Sequence, residues 1–356
     1  MTIHTPSNDA RRRSFARRQD QKESRRRRLR YFIPSLAVAL LTVVGIGLAL
    51  DAREQTTVQA VVEPVVSQPE SAPSIPAPSE REPVKGPASG AENSGLAGDT
   101  AALEERIEEI ASYYGGFYGV IVSDPSAGKQ ASLGSDETFF AASIGKLPAL
   151  LALYKSAARG EVNLNDDIIM QASDVQNYGT GVLHTYEVGY TLSLRECAFY
   201  LMNESDNTAW KMLTRYLGEE NIQAEMNDIG AYDTGYWIPN TTTASDVLLM
   251  LEKVADPEYT SPESSEEMLS AMTNTFSEDR IPAGLPPDAQ VAHKIGTYGN
   301  NFSDAGVVSY KAPDGSEKSY FIVVFTEGMG EMTARTAIQE ISAAAHQTFG
   351  PTDSGS

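Results

Sequence analysis

The chain is poor in the residues that several large enzyme classes need. It has one cysteine, Cys197, so no intrachain disulfide can form and any exported part must stand on its own core. That cysteine lies deep in the body, which also removes an N-terminal lipid-attachment signal, and its apolar surroundings assign it to core filling. There are four histidines, at 4, 184, 293 and 346, and no His-Glu-x-x-His, so zinc hydrolysis is unsupported. A Ser-His-Asp triad has few candidates, and no Gly-x-Ser-x-Gly elbow is present. Nothing in the sequence calls for a metal or a cofactor. Trp210 and Trp237 read as core and loop packing, and the acid pairs Asp166-Asp167 and Glu266-Glu267 read as solvated surface. No internal repeat is present.

Positive charge is scarce overall but concentrated at one end. The net charge is −20 over 356 residues, yet residues 1–30 hold ten Arg and one Lys against Asp9, Asp20 and Glu23, a net of +8, which leaves −28 for the rest. Phe32 to Leu50 then runs nineteen residues without a charge, enough at ~1.5 Å per residue to cross a hydrocarbon core. Arginines on its N-terminal side predict a cytoplasmic arm (1–31), a signal-anchor helix (32–50) and an extracytoplasmic remainder. A cleaved signal peptide is the alternative, but Asp51, Ala52 and Arg53 make a poor exit site. An arm that binds nucleic acid is disfavoured beside a membrane span. Residues 51–98 carry seven prolines among Ser, Ala, Glu and Val, a composition that cannot bury a core and reads as a tether. The remaining residues, 99–350 with a short tail 351–356, suit one large domain.

Within that body, Asp99-Thr100 caps an amphipathic helix, Ala101 to Tyr113, with Leu103, Ile107 and Ile110 on one face. Tyr118 to Ser123 reads as a strand, Asp124 to Gly128 as a turn, and Lys129 to Leu133 as the return. From Ser143 to about Gly230 the pattern is mainly helical, broken at Gly160 and around Tyr178-Gly-Thr-Gly181, with Thr191 to Met202 a strong helical segment. Thr241-Thr-Thr243 opens another helix through Leu251 and Val254. Beyond Pro286-Pro287 the strands resume, Ala305 to Tyr310 and Ser319 to Phe325 forming a hairpin, and Thr333 to Phe349 closes as a helix. The fold class is therefore α+β: an antiparallel sheet built from both ends of the domain, flanked by its N- and C-terminal helices, plus an all-helical subdomain.

The stretch Phe139 to Leu150 is the chemical centre. Small residues lead into Ser143, Lys146 follows three positions later, and an apolar helical run begins. Positions i and i+3 share a helix face, so a hydroxyl and an amine would stand side by side as nucleophile and base. The same spacing at Ser126-Ala-Gly-Lys129 sits in turn chemistry and lacks that context. A lysine base must be neutral when it acts, which requires burial or a second cation nearby to lower its pKa of about 10.4. Two more stretches could complete such a site. Ser205-Asp-Asn207 follows the helix ending near Met202, and His293-Lys294-Ile-Gly-Thr297 begins where the sheet resumes, with Gly296 allowing close approach of a substrate backbone.

Taken together and in this order, Ser143-x-x-Lys146, Ser205-Asp-Asn207 and Lys294-x-Gly296 resemble the class A β-lactamases and their penicillin-binding relatives. The likeness covers most of residues 100–350 and includes Asp136-Glu-Thr-Phe139, Leu192-x-x-Arg-Glu-Cys197, Asn207-Thr-Ala209 and Thr241-Thr-Thr243. It implies Ser143 as acylated nucleophile, Lys146 as its base, and Ser205 as proton relay to the leaving nitrogen. Asn207 would contact the substrate amide, and Lys294 would attract a substrate carboxylate. The N–H groups of Ser143 and Thr297 would form the oxyanion hole, and Tyr178 would wall the cleft. The substrate class implied is a β-lactam or a D-Ala-D-Ala-like peptide.

Two departures stand out. Class A enzymes carry an Ω-loop Glu that activates the deacylating water; here Ile229 to Asn240 runs almost directly into Thr241-Thr-Thr243, that segment is missing, and Asp233 is the only carboxylate left in the gap. Ile295 replaces the usual Thr or Ser, with Thr297 placed to compensate in part. Three functions stay open on these grounds: a serine hydrolase that acylates readily and deacylates slowly, an efficient β-lactamase with a relocated base, and an envelope-binding protein that keeps the fold without turnover. The physiological substrate and the oligomeric state are not legible in the sequence.

Overall fold

The computed structural model describes residues 98–351. The basic arm, the apolar run 32–50 and most of the tether lie outside them, and among the described residues no helix is long and apolar enough to cross a membrane.

Helix α1 (Thr100–Tyr114) starts where expected, its first two free N–H groups, at Ala101 and Ala102, donating to the Asp99 carboxylate. Strands β1 (Phe117–Asp124) and β2 (Lys129–Leu133) form the first hairpin, and β7 (Gln290–Tyr298), β8 (Asn301–Lys311) and β9 (Glu317–Glu327) the C-terminal meander. They join as one antiparallel sheet in the order β2-β1-β9-β8-β7. Alternation along β9 sends Tyr320, Ile322 and Val324 to one face and Phe321, Val323 and Phe325 to the other. The first face packs on Leu103, Ile107 and Ile110 of α1 and on Ile338 and Ile341 of the closing helix α8 (Glu331–Phe349).

The second face covers the helical part. Helix α2 (Leu147–Ala158) is buried without interruption from Leu147 to Tyr154, as a central helix must be. Around it lie α3 (Leu194–Asn203), α4 (Asn207–Leu217), α5 (Glu219–Asp228), α6 (Ala244–Ala255) and α7 (Pro262–Ala271). Residues 159–193 are not the helical continuation expected from the pattern. They run as loops and 3-10 turns with a small ladder, β4 (Asp167–Ile169) on β5 (Thr191–Ser193). Thr191 therefore begins a strand, and α3 starts only at Leu194 because Ser193 and Glu196 form a capping box. Thr241–Thr242 pairs as β6 with β3 (Phe139–Phe140), and the helix opens as expected at Thr243, whose hydroxyl caps Asp246 N–H. The β3–β6 ladder brings the turn that carries Ser143 beside the loop that ends at Asn240.

Candidate active site

Ser143 lies in a single 3-10 turn, Ala142–Lys146, which runs straight into α2. Ala142 has φ +47° and Ser205 has φ +49°, so the residue before one serine and the second serine itself both hold a left-handed backbone that costs energy for a side chain with a Cβ. That strain persists because the surroundings leave no alternative. Asn240 donates through Nδ2 to the Ala142 carbonyl (3.2 Å), and a Cβ at Gly145 would stand 2.1 Å from its Oδ1, so only glycine lets the loop back the turn this closely.

Lys146 is wholly inaccessible (0 %). Its Nζ lies 2.9 Å from Ser143 Oγ, 2.9 Å from the Ser205 carbonyl, 3.2 Å from Ser205 Oγ and 2.7 Å from Asn207 Oδ1. An ammonium has three protons for these four oxygens. A neutral amine also makes three contacts, its two N–H bonds going to the carbonyl and to Asn207 and its lone pair facing Ser143 Oγ–H, which is the arrangement a general base needs. Burial is the main force lowering Lys146 well below its ordinary 10.5, the charge of Lys294 adds to it, and Asp206 opposes. Lys294, projecting from β7, donates to Ser205 Oγ (2.8 Å) and to the Ile295 carbonyl (3.2 Å). Its own burial pushes it down to about 7 against the pull of Asp304, with Arg280 lowering it further. Ser205 Oγ therefore bridges two amines, each depressed chiefly by loss of water.

Asp206 pins this arrangement to the loop opposite. Its Oδ2 accepts the N–H groups of Val182 (2.6 Å) and Leu183 (2.8 Å), and its Oδ1 that of Ala209 (2.9 Å), which caps α4. Thr180 Oγ1 donates to the Ser205 carbonyl (2.6 Å), and Asn207 Nδ2 to the Tyr178 carbonyl (3.0 Å). Cβ atoms at Gly179 and Gly181 would run into Asn207 and Asp206 at 2.3 and 2.2 Å, so the Gly-Thr-Gly break in the sequence is the contact itself. Replacing Asp206 by Ala would leave three N–H groups without their acceptor; we expect a loss of about 3 kcal/mol in denaturant unfolding, with m unchanged.

The remaining residues fall as follows. The ring of Tyr178 is 70 % exposed, and it is the main chain of this residue that holds Asn207. At Gly296 the space for a side chain is filled by Ser303 Oγ (2.4 Å), the Ala141 carbonyl (2.9 Å) and Ile144 (3.2 Å). The glycine thereby allows close contact between β7 and the turn that carries Ser143. Ile295 is buried, while Thr297 is exposed and its Oγ1 accepts from Arg280 Nη2 (2.5 Å).

Sequence reasoning missed Arg280. It is 1 % exposed, and its Nη1 donates to the carbonyls of Gly296 (2.7 Å) and Ser303 (2.5 Å). It is the sole arginine between residues 216 and 334 of a strongly acidic body, a signal that could have been followed. Trp210 packs against the core as expected, and its ring also lies 5.0 Å from Lys146 Nζ and meets Trp237 edge-on at 4.9 Å. Asp233 is exposed on the loop between α5 and β6, and its electrostatic effect falls on Asp246.

The profile of the β-lactamase enzyme family matches residues 102–349, which contain every group described above. The chain belongs to this family. It is a serine hydrolase of the class A β-lactamase and penicillin-binding superfamily. Among relatives, β-lactamase OXY-1 of Klebsiella oxytoca is 24% identical over 266 residues, covering 68% of this chain and 87% of its own. β-Lactamase AST-1 of Nocardia asteroides is 27% identical over 218 residues, covering 56% and 70%. Among solved structures, PBP-A superposes with a TM-score of 0.64 at 26% identity, over 69% of this chain and 95% of that one. A PBP-A mutant captured as an acyl-enzyme with penicillin G gives the same score and identity, over 69% and 96%. Within the family, the antiparallel sheet flanked by terminal helices is the shared frame, and the expected α+β class stands.

Proposed function

We propose that the protein is an extracytoplasmic, membrane-tethered acyl-transfer enzyme that opens β-lactam or D-Ala-D-Ala-like amides through Ser143 and releases the acyl group slowly. The observation that carries this reading is the 2.9 Å approach of Lys146 Nζ to Ser143 Oγ with Ser205 Oγ bridging Lys146 and Lys294. Neutral Lys146 takes the Ser143 proton as Oγ bonds to the carbonyl carbon. The N–H groups of Ser143 and Thr297 receive the oxyanion. As the C–N bond breaks, the proton passes from Lys146 through Ser205 to the leaving nitrogen, so no charge is stranded. Asn207 holds the substrate amide. Lys294 and the Arg280-backed hydroxyl of Thr297 attract the substrate carboxylate, Thr297 taking over from the residue that Ile295 displaces.

Slow release follows from what surrounds the acyl group. Asp206 has its oxygens committed to three main-chain N–H groups, and Asp233 is exposed on the loop between α5 and β6, which argues against either as the base that activates water. Residues 32–50 serve as the anchor and 51–98 as a tether, which gives the domain (99–350) reach over nearby cell wall.

The test is incubation of the full-length protein with a fluorescent penicillin, followed by the mass of the Ser143 peptide over time. A lasting adduct supports slow release, a transient one with product supports a relocated base, and no adduct contradicts acyl transfer. The pH dependence is a second check. The two lysines lose protons as a coupled pair, and the active form holds one proton, on Lys294. The second-order acylation constant should rise as Lys146 deprotonates and fall as Lys294 passes about 7. At saturating penicillin the falling limb should move to higher pH, because a bound carboxylate favours the charged lysine. A profile flat from pH 5 to 10 would contradict this assignment.

A further inference from the structure

The segment that carries Arg280 to the sheet, Thr275-Phe-Ser-Glu-Asp-Arg280, forms no regular element, yet the guanidinium makes three hydrogen bonds there. Two buried ionisable groups that acyl transfer does not use hold this segment in place. His293 on β7 and Asp304 on β8 are both fully buried. His293 Nδ1–H donates to Asp304 Oδ1 (2.8 Å), and Asp304 Oδ2 accepts the N–H of Ile281 (2.9 Å), the residue directly after Arg280. On the other side of the ring, Nε2 faces Thr275 Oγ1 (3.3 Å) and Glu278 Oε1 (3.4 Å), and Glu278 Oε1 also accepts the N–H of Thr275 (2.6 Å). The row Glu278–His293–Asp304 thus grips the segment two residues before Arg280 and one residue after it. Burial opposes a charged ring, but the two carboxylates outweigh it and lift His293 to about 9. Asp304 is held low despite its burial by His293 and Arg280. Beyond Asp304, the charged groups acting on Arg280 are Asp279, 4.0 Å from Nε and itself paired with Arg335, then Arg335 and Glu331, with Lys294 on the far side of the strand.

We propose that His293 and Asp304 are positioning residues for Arg280: they fix its guanidinium on the Gly296 carbonyl and the Thr297 hydroxyl, and so select substrates with a free carboxylate beside the scissile amide nitrogen. The inference rests on Ser143 acylation as proposed above. A pair that only supported the fold would, when broken, slow acylation by every substrate alike. A positioning pair discriminates, because only substrates with the carboxylate use the anchor.

The experiment compares acylation of the full-length protein by penicillin G and by its methyl ester. In the wild type the free acid should react at least about tenfold faster than the ester. His293→Leu should lose about 10–100-fold against the acid and under about threefold against the ester, with the loss in half-saturation rather than in the limiting rate. His293→Asn, whose amide N–H stands near the former Nδ1–H, should recover most of it. His293→Leu combined with Arg280→Gln should be no slower than Arg280→Gln alone, since both remove one device. Equal losses against acid and ester, wild-type rates in His293→Leu, or additive losses in the double variant would overturn the proposal. Should His293→Leu not fold, Glu278→Gln, on the exposed end of the row, must show the same preference on a smaller scale, and equal effects there would overturn it as well. Absence of any Ser143 adduct in the wild type would instead remove acyl transfer itself, and is seen before a variant is made.

Discussion

Lys146→Ala slows formation of the penicillin adduct by about 10²–10⁴-fold, the range expected when a positioned general base is removed. Burial and the charge of Lys294 keep this amine well below its ordinary value, which favours the neutral form a base needs, and no other basic nitrogen is hydrogen-bonded to Ser143 among the described residues. Its removal also leaves Asn207 Oδ1 and the Ser205 carbonyl short of one donor each. The carbonyl keeps Thr180 as a partner and Asn207 keeps its bond to Tyr178, so the fold should persist. Stopped-flow labelling alongside circular dichroism separates the two effects. Unchanged labelling would mean that the proton goes elsewhere.

Lys294→Met should do two opposite things. Acylation by carboxylate-bearing penicillins falls by about 10²-fold or more, because the fixed charge facing the carboxylate is lost. Stability at pH 7 rises by about 1–4 kcal/mol, because an amine buried with little compensation is replaced by an apolar side chain of similar length. The sign can be followed through pH. Folded Lys294 titrates at about 7 and the unfolded residue at 10.5. Between those values the unfolded chain binds more protons, so this residue makes the wild type gain stability as pH rises. His293 acts in the other sense: its raised value of about 9 against 6.5 gives stability that is complete below 6.5 and lost as pH climbs through 9. The two slopes partly cancel in the wild type. The difference between wild type and Lys294→Met isolates the lysine, and it should shrink steadily from pH 7 to 10.5. A variant that is less stable at pH 7 would mean that Lys294 is well compensated where it lies.

What the sequence showed of this site was what is local. Ser143 and Lys146 are three residues apart on one turn, Ser205 and Asn207 straddle a helix cap, and Lys294 projects from a strand with an apolar pattern, so each group was legible in a few consecutive residues. What it hid depends on distant partners. Arg280 reaches Thr297 from a loop with no periodicity, and Asn240 reaches Ala142 across the β3–β6 ladder. The β4–β5 ladder has strands of three residues, too short for alternation to be distinguished from helical spacing. One misplaced helix start had a visible corrective. Ser193-x-x-Glu196 is a capping box that starts the helix at Leu194 rather than at Thr191. Gly296 shows the same limit: a glycine in a strand says that something comes close, and only the structure shows the Ala141 carbonyl and Ile144 there.

The most direct measurement is the intact mass of the full-length protein after mixing with penicillin G, with peptide mapping of the modified residue at intervals. The account predicts one added penicillin per chain, on Ser143, persisting after free penicillin is removed, and absent from Ser143→Ala. An adduct that forms equally in Ser143→Ala, or a wild-type protein that takes up no penicillin at any pH between 5 and 10, would contradict it.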